Sequence, residues 1–352
     1  MKKIIYLLAI ALTATAAYAQ KVNKTELAQM QKFLSQPAKE SATNAEALNI
    51  TNLKNPSTWE GVTIENGHIT QIDWKDKKLA GQLDLTGLNA LTSVDISRNG
   101  LTSLTADNLP ALTQLNASRN ELIALNIDNA PVLTNLRIYR NRLTSLNISA
   151  TPALENLNVA NNNLVSLNVA NSTALKTLNC QSNRLEALNV AGCTNLKSLY
   201  CGYNKLKSLT LTELPNLANL NLDDNELSNL VISNLPSLST LVCSDNSMTS
   251  LAVNNCGALL DLICSYNDLT NLTVEDCPNL LYVDCSYNDL TYLNLSNQTF
   301  LQRLICNNNQ LMTIDVSFDS ALTYLNCRYN NLTDLRTIGC SNLQMVASQF
   351  NF

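Results

Sequence analysis

Residues 196–211 read Leu-Lys-Ser-Leu-Tyr-Cys-Gly-Tyr-Asn-Lys-Leu-Lys-Ser-Leu-Thr-Leu, and laid over the rest of the chain this stretch decides the fold. Its Asn204 is one of thirteen asparagines at a strict 21-residue spacing: Asn99, Asn120, Asn141, Asn162, Asn183, Asn204, Asn225, Asn246, Asn267, Asn288, Asn309, Asn330 and Asn351. Eight positions before each stands a leucine (Leu91 to Leu343), and five before stands Leu or Val. Two after comes Leu, once Met (Met248), and five after comes Leu or Ile. A fixed period of this length marks a solenoid, in which one unit cannot bury its apolar face alone and stacked neighbours make a continuous core. Alternation such as Leu199 and Cys201 points both side chains inward from one short strand. An asparagine at the bend after it, if buried, must be hydrogen-bonded, and a column of them can serve the backbone of adjoining turns. Twenty-one is also three heptads, but the strand-like alternation and Pro110, Pro131, Pro152, Pro215, Pro236 and Pro278 weigh against a coiled coil.

The unit L-x-x-L-x-C-x-x-N-x-L-x-x-L-x-[IV] is the leucine-rich repeat pattern at the short end of its period range. The expected fold is a leucine-rich repeat solenoid. It is a right-handed curved superhelix with a parallel β-sheet on the concave face, short strands or turns on the convex face, and a small helical and hairpin N-terminal cap. The expected organisation is a signal peptide over 1–19, a cap over 20–82 and about 13 repeats over 83–352.

The first expectation rests on Met1-Lys2-Lys3, an apolar run from Ile4 to Ala17, and Ala17-Tyr18-Ala19 before Gln20, the pattern of a secretory leader with its cleavage site. The run is too short to span a bilayer, and no cysteine precedes Cys180, so neither a membrane span nor a lipid anchor at the new N-terminus is expected. The expected location is secreted, or at the cell surface or outer envelope. In the cap, Leu27, Met30, Phe33 and Leu34 predict an amphipathic helix over Thr25–Gln36, closed by Pro37, with a second helical turn near Asn44–Leu48. Asn66-Gly67 predicts a hairpin turn between Val62–Ile64 and Ile69–Trp74.

Chemistry-bearing residues are sparse. The chain has one histidine, His68, expected in that turn and exposed, and no phosphate loop, dinucleotide fingerprint or zinc-protease motif, so no enzyme is expected. All eleven cysteines fall in two columns of the repeat. Cys180, Cys201, Cys243, Cys264, Cys285, Cys306 and Cys327 lie three before the asparagine, and Cys193, Cys256, Cys277 and Cys340 ten after it. Parallel strands about 4.8 Å apart point equivalent side chains the same way, whereas a disulfide needs Cβ atoms about 3.8 Å apart and a near-right-angle torsion. The columns therefore read as ladders of free, buried thiols, with Ala117, Ile138, Val159 and Leu222 filling the same slot elsewhere. No cofactor or metal is expected. Asp224 and Asp245, or Asp268 and Asp289, could clamp calcium, but read more simply as solvated charge.

The repeats resemble the 21-residue cysteine-ladder repeats of internalin-type (internalin J-like) bacterial surface proteins, over roughly residues 83–352. Trp59-Glu60-Gly61-Val62 is similar to the segment that precedes leucine-rich repeats in plant receptors, without the paired cysteines found there. The resemblance implies an adhesin-like protein that binds a protein, a host protein included, or a glycan, mostly through the concave face; the alternative reading is a glycan-binding or envelope-associated structural repeat protein. As a departure from that family's pattern, neither an LPxTG wall anchor nor an immunoglobulin-like module is expected here, and the last strand is expected to present an open edge.

The outward residues of each strand lie six, four and two before the asparagine. From the second to the seventh repeat these are largely short and polar, apart from Arg137, Tyr139 and Tyr200, a secondary candidate site. From the eighth repeat Val242, Ile263 and Ile305 take the central column and Tyr282 and Tyr324 the column beside it. Asp261, Asp284, Arg303 and Arg328 lie between them, and Tyr266, Tyr287 and Tyr329 border the area. Apolar surface rimmed by charge, with Tyr and Arg as anchors, marks this half as the expected partner-binding site. From Ser208 to Gln302 there is no Lys or Arg but eleven acids, which disfavours nucleic acid and anionic membrane as partners.

Overall fold

The computed structural model describes residues 22–295 and 298–351. The expected signal peptide lies outside the described residues. The chain is a leucine-rich repeat solenoid. One 15-stranded sheet runs its whole length, with the strands in sequence order. Thirteen of them are three-residue strands, one per repeat, from Ser93–Asp95 to Met345–Ala347, each parallel to the last and in 21-residue register through most of the stack. Four short parallel sheets of two or three strands line the other side, among them Leu230–Ser233, Ser250–Asn254 and Asn271–Glu275.

The register follows from burial. In the repeat quoted above Leu196, Leu199, Cys201 and Leu206 are fully buried, and their equivalents repeat this along the stack. A one-residue slip would turn a whole column to solvent. The asparagine column then fixes each bend. Asn204 Oδ1 accepts from the Leu185 amide at 3.0 Å, and its Nδ2 donates to the carbonyls of Cys180, Cys201 and Gly202 at 3.1, 2.9 and 3.1 Å. One side chain thus ties its own turn to the one before, and the pattern recurs from Asn99 to Asn351. All eleven thiols are unpaired. In the second cysteine column the thiol takes a similar backbone role: Cys193 Sγ donates to Val169 O at 3.1 Å and Cys340 Sγ to Val316 O at 2.9 Å.

Ahead of the repeats come α1 (Lys24–Leu34), α2 (Asn44–Ala47), β1 (Val62–Glu65) and β2 (His68–Asp73). The first helix starts one residue earlier than Thr25, because the Asn23 side chain accepts from the Thr25 amide. It stops at Leu34 rather than Gln36. The Gln36 amide side chain instead bonds both backbone groups of Gln82, and Pro37 disfavours helical geometry just before it. Met30, Phe33 and Leu34 are buried, with Phe33 stacked on Trp74 at 5.9 Å. The hairpin β1–β2 is antiparallel, and β2 pairs in parallel with Ser93–Asp95, so it continues the long sheet. Gly61 (φ +79°) is required here, since a Cβ would lie 2.1 Å from the Asp73 carbonyl. His68 departs from the exposed turn expected for it: it begins β2, and its Nδ1 lies 2.6 Å from Glu26 Oε1. The Glu26 carboxylate is 1 % exposed and also accepts from the Ile69 amide at 2.9 Å. A buried carboxylate needs such partners, and His68 is one of them.

Candidate binding surface

The long-sheet face carries the columns of outward side chains. In the C-terminal half, register places Tyr282, Arg303 and Tyr324 directly beside one another. The Arg303 guanidinium lies between the two rings, 5.6 Å from the centre of Tyr282 and 5.0 Å from that of Tyr324. Each such contact contributes about 0.5–1 kcal/mol at an exposed site. The tyrosines are half-buried and Arg303 is exposed, so the three side chains form one layered cation–ring stack on this face. Burial, then the nearby Asp284 carboxylate, raises the Tyr282 phenol above its ordinary range, and its hydroxyl lies 3.4 Å from Asp284 Oδ2.

The central column runs Asn221, Val242, Ile263, Asp284, Ile305, Asn326 in register, every member half-buried. Asp284 therefore divides the apolar floor into Val242 with Ile263 on one side and Ile305 on the other. Asp261 pairs in register with Tyr282, on the anchor's column. The third column is small and self-satisfied: Ser244 Oγ lies 3.0 Å from Ser265 Oγ, and Ser286 Oγ donates to Asp284 at 2.6 Å. Arg328 is half-buried and donates to the Gln349 side chain.

In the N-terminal half Arg137 is exposed between two shallow depressions. One is lined by Asp95, Gln114 and Asn116, the other by Asn156, Asn158, Asn179 and Tyr200. Tyr139 stands apart from these, under the Arg119 guanidinium at 5.8 Å. The Arg119 guanidinium, then Ser118, holds the phenol below its ordinary range.

Tyr266, Tyr287 and Tyr329 sit in a different setting. The residue before every asparagine, from Arg98 to Phe350, has a left-handed backbone with φ between 50 and 63°. No glycine occupies this column, and each such residue carries a cost of about 1–2 kcal/mol. Side-chain stacking offsets part of it: Tyr266 lies on Tyr287 at 4.3 Å and 9°, and Tyr329 on Phe350 at 4.5 Å and 6°. Such pairs contribute about 0.5–1.5 kcal/mol beyond area burial. Tyr203, Asp224 and Asp245 belong to the same column and were not among the expected site residues. The sequence signal for it is the lack of any Val, Ile or Thr there, since β-branched side chains tolerate positive φ worst.

Among the described residues no three His, Cys, Asp or Glu side chains converge as a metal site, and no helix is long and apolar enough to cross a membrane.

Comparison with known proteins agrees with this architecture. The family described as leucine-rich repeats (2 copies) matches residues 173–215. No curated protein matches the chain. Among solved structures, it is similar to YopM, a leucine-rich effector protein from Yersinia pestis, with 25% identity over 79% of this chain and 88% of that one and a TM-score of 0.53. It is also similar to the functional domain of InlJ from Listeria monocytogenes, which includes a cysteine ladder: 26% identity, 74% of this chain, 68% of that one, TM-score 0.45. The ectodomain of the Arabidopsis thaliana receptor kinase GASSHO1/SCHENGEN3, in complex with a peptide factor, aligns at 19% identity over 93% of this chain and 53% of that one, TM-score 0.52.

Proposed function

We propose that this leucine-rich repeat chain is an exported, non-enzymatic binding protein, an adhesin-like module at a cell surface or in the surrounding medium. Its partner, a host protein among the candidates, is held on the long-sheet face. The observation that carries the reading is the Tyr282–Arg303–Tyr324 stack beside Ile263 and Ile305. Tyr and Arg are the residues most enriched among interface anchors, and here they are held in one geometry before any partner arrives. The preceding repeats fill the same column with Ser, Gln, Asn and Thr and, at Asp261, a carboxylate, so strand-forming tendency alone does not call for aromatics there. The solved relatives add a precedent, since one is an effector and another is in complex with a peptide factor.

The test needs a ligand found by crosslinked capture from host extracts, with a glycan array as the second arm. Tyr282→Ala with Tyr324→Ala should weaken binding by at least about 2 kcal/mol, the scale of an interface hot spot, and leave folding nearly unchanged. Asn156→Ala with Asn179→Ala should leave affinity unchanged. If the asparagine pair abolishes binding while the tyrosine pair is silent, the site lies around Arg137 and Tyr200 instead.

A further inference from the structure

Beside the sheet face runs a second ornamented strip, five positions further along each unit. Five consecutive turns place Tyr203, Asp224, Asp245, Tyr266 and Tyr287 at the left-handed position before the asparagine. All five are exposed, the tyrosines to 55, 50 and 44%. Two residues on, the same turns carry Lys205, Glu226, Ser247, Asp268 and Asp289, so an exposed acidic row runs beside the strip from Glu226 onward, with Lys205 at its Tyr203 end. Among the described residues none of these acids is in an ion pair with Lys or Arg, and the chain carries neither residue type from 208 to 302.

Stacking makes the strip directional. The Tyr266–Tyr287 pair leaves the outer face of Tyr266 on the side of Asp245, and Tyr203 stands on the other side of Asp224. Two aromatic walls about 14 Å apart, three strand spacings, thus flank two carboxylates of neighbouring turns. Like charges opposite one another are unfavourable when no cation lies between them.

We propose that this ridge docks a basic polypeptide segment, with lysine or arginine heads lying against the tyrosine faces and between Asp224 and Asp245. An ammonium or guanidinium group is drawn both to the face of an aromatic ring and to the carboxylates, while the same charges repel nucleic acid. The site is separate from the sheet-face anchor, and neither reading depends on the other.

Fluorescence anisotropy of the full chain with a fluorescein-labelled alternating Lys-Ser peptide tests it, with the Glu-Ser peptide as control. The Lys-Ser peptide should bind and the Glu-Ser peptide should not. Asp224→Asn with Asp245→Asn, and separately Tyr266→Leu with Tyr287→Leu, should each weaken binding at least about tenfold. Tyr266→Phe with Tyr287→Phe should retain it, because the ring face is kept, and this pair reads the site even if the leucine pair folds poorly. Tyr282→Ala with Tyr324→Ala should have no effect. Binding no tighter than the control peptide overturns the proposal. So does loss with Asp224→Asn and Asp245→Asn but not with Tyr266→Leu and Tyr287→Leu, which would mean diffuse charge attraction, and so does loss with Tyr282→Ala and Tyr324→Ala.

Discussion

Replacing Asn204 by alanine tests the column on which the fold depends. Four hydrogen bonds go with the amide: one received from the Leu185 N–H, and three donated to the carbonyls of Cys180, Cys201 and Gly202. The Cys201 and Gly202 carbonyls keep other partners, since they accept from Asn225 Nδ2 and the Ser182 amide. The orphan is therefore chiefly the buried Leu185 amide, whose hydrogen bond among the described residues is the one to Asn204. An unpaired buried donor costs about 1–3 kcal/mol, and the small cavity left by the amide moves the expected loss toward the upper end. Asn204→Asp makes a sharper control: it keeps the acceptor for Leu185 but aims a carboxylate at three carbonyl oxygens, so it should be at least as damaging. Asn158, half-buried on the sheet face, accepts one bond from the Ala160 amide at 3.2 Å, and its replacement should cost less than about 0.5 kcal/mol. Urea melts followed by far-UV circular dichroism, with hydrogen exchange at Leu185, measure both. Equal losses for Asn204→Ala and Asn158→Ala, or unchanged protection of the Leu185 amide, would refute the reasoning.

Two further outcomes follow from burial and pairing. In the second column a hydrogen bond with Cys277 lowers the buried Cys256 thiol to about 7, but burial pushes the Cys180 thiol up to about 12 and Cys327 to about 11, so at pH 8 the first column of the native ladder holds little thiolate. Iodoacetamide should therefore label it slowly; Cys340, the one cysteine that is not fully buried, should react first, and all eleven should react after denaturation without reductant, a lower count exposing a disulfide by mass spectrometry. Glu26→Ala should strand the Ile69 amide and remove the contact with His68 at a cost of about 1–3 kcal/mol, lowering exchange protection over residues 62–84 more than in the central repeats, whereas Glu26→Gln should retain most of it. Uniform loss along the chain, or none, would show that this end is not held through Glu26.

Most of the fold was legible because the 21-residue period fixes register without knowledge of any contact. Once Asn99 to Asn351 are aligned, the inward leucines, the free-thiol columns and the bridging role of the amide follow from spacing and the need to satisfy buried polar groups. Helix and hairpin in the first residues were legible from periodicity and Asn66-Gly67, but their ends were not. Gln36 left the helix to bind Gln82, a contact 46 residues away that no local pattern encodes. The Glu26–His68 pair was hidden for the same reason. The candidate site was legible as composition and less so as arrangement. Tyr282, Arg303 and Tyr324 are 21 apart, so their layering was present in the period, yet read as separate outward residues they do not announce a cation between two rings. The left-handed column had only a negative signature, the lack of β-branched residues.

The repeat separates what holds the chain together from what it shows to others, and the separation decides where function can reside. Columns at the asparagine, at eight, five and three before it and at two after it are pinned by burial and hydrogen bonds, and their substitutions stay within a narrow set: Met248 for Leu, Leu222 for Cys. Columns at six, four, two and one before the asparagine share one backbone geometry but differ turn by turn. Between Asn135 and Asn156 such a column spends its amides on each other, at 3.0 Å, and offers little to a partner. Between Tyr282 and Tyr324 the same slots hold a cation between rings, and between Tyr203 and Tyr287 the neighbouring slots hold carboxylates between exposed aromatics. Backbone cannot account for that change, because every turn has the same strand and the same bend. The difference lies in the side chains alone, on positions where the core makes no demand. That is why the C-terminal half, rather than the cap or the polar repeats, is where a partner's chemistry should be sought.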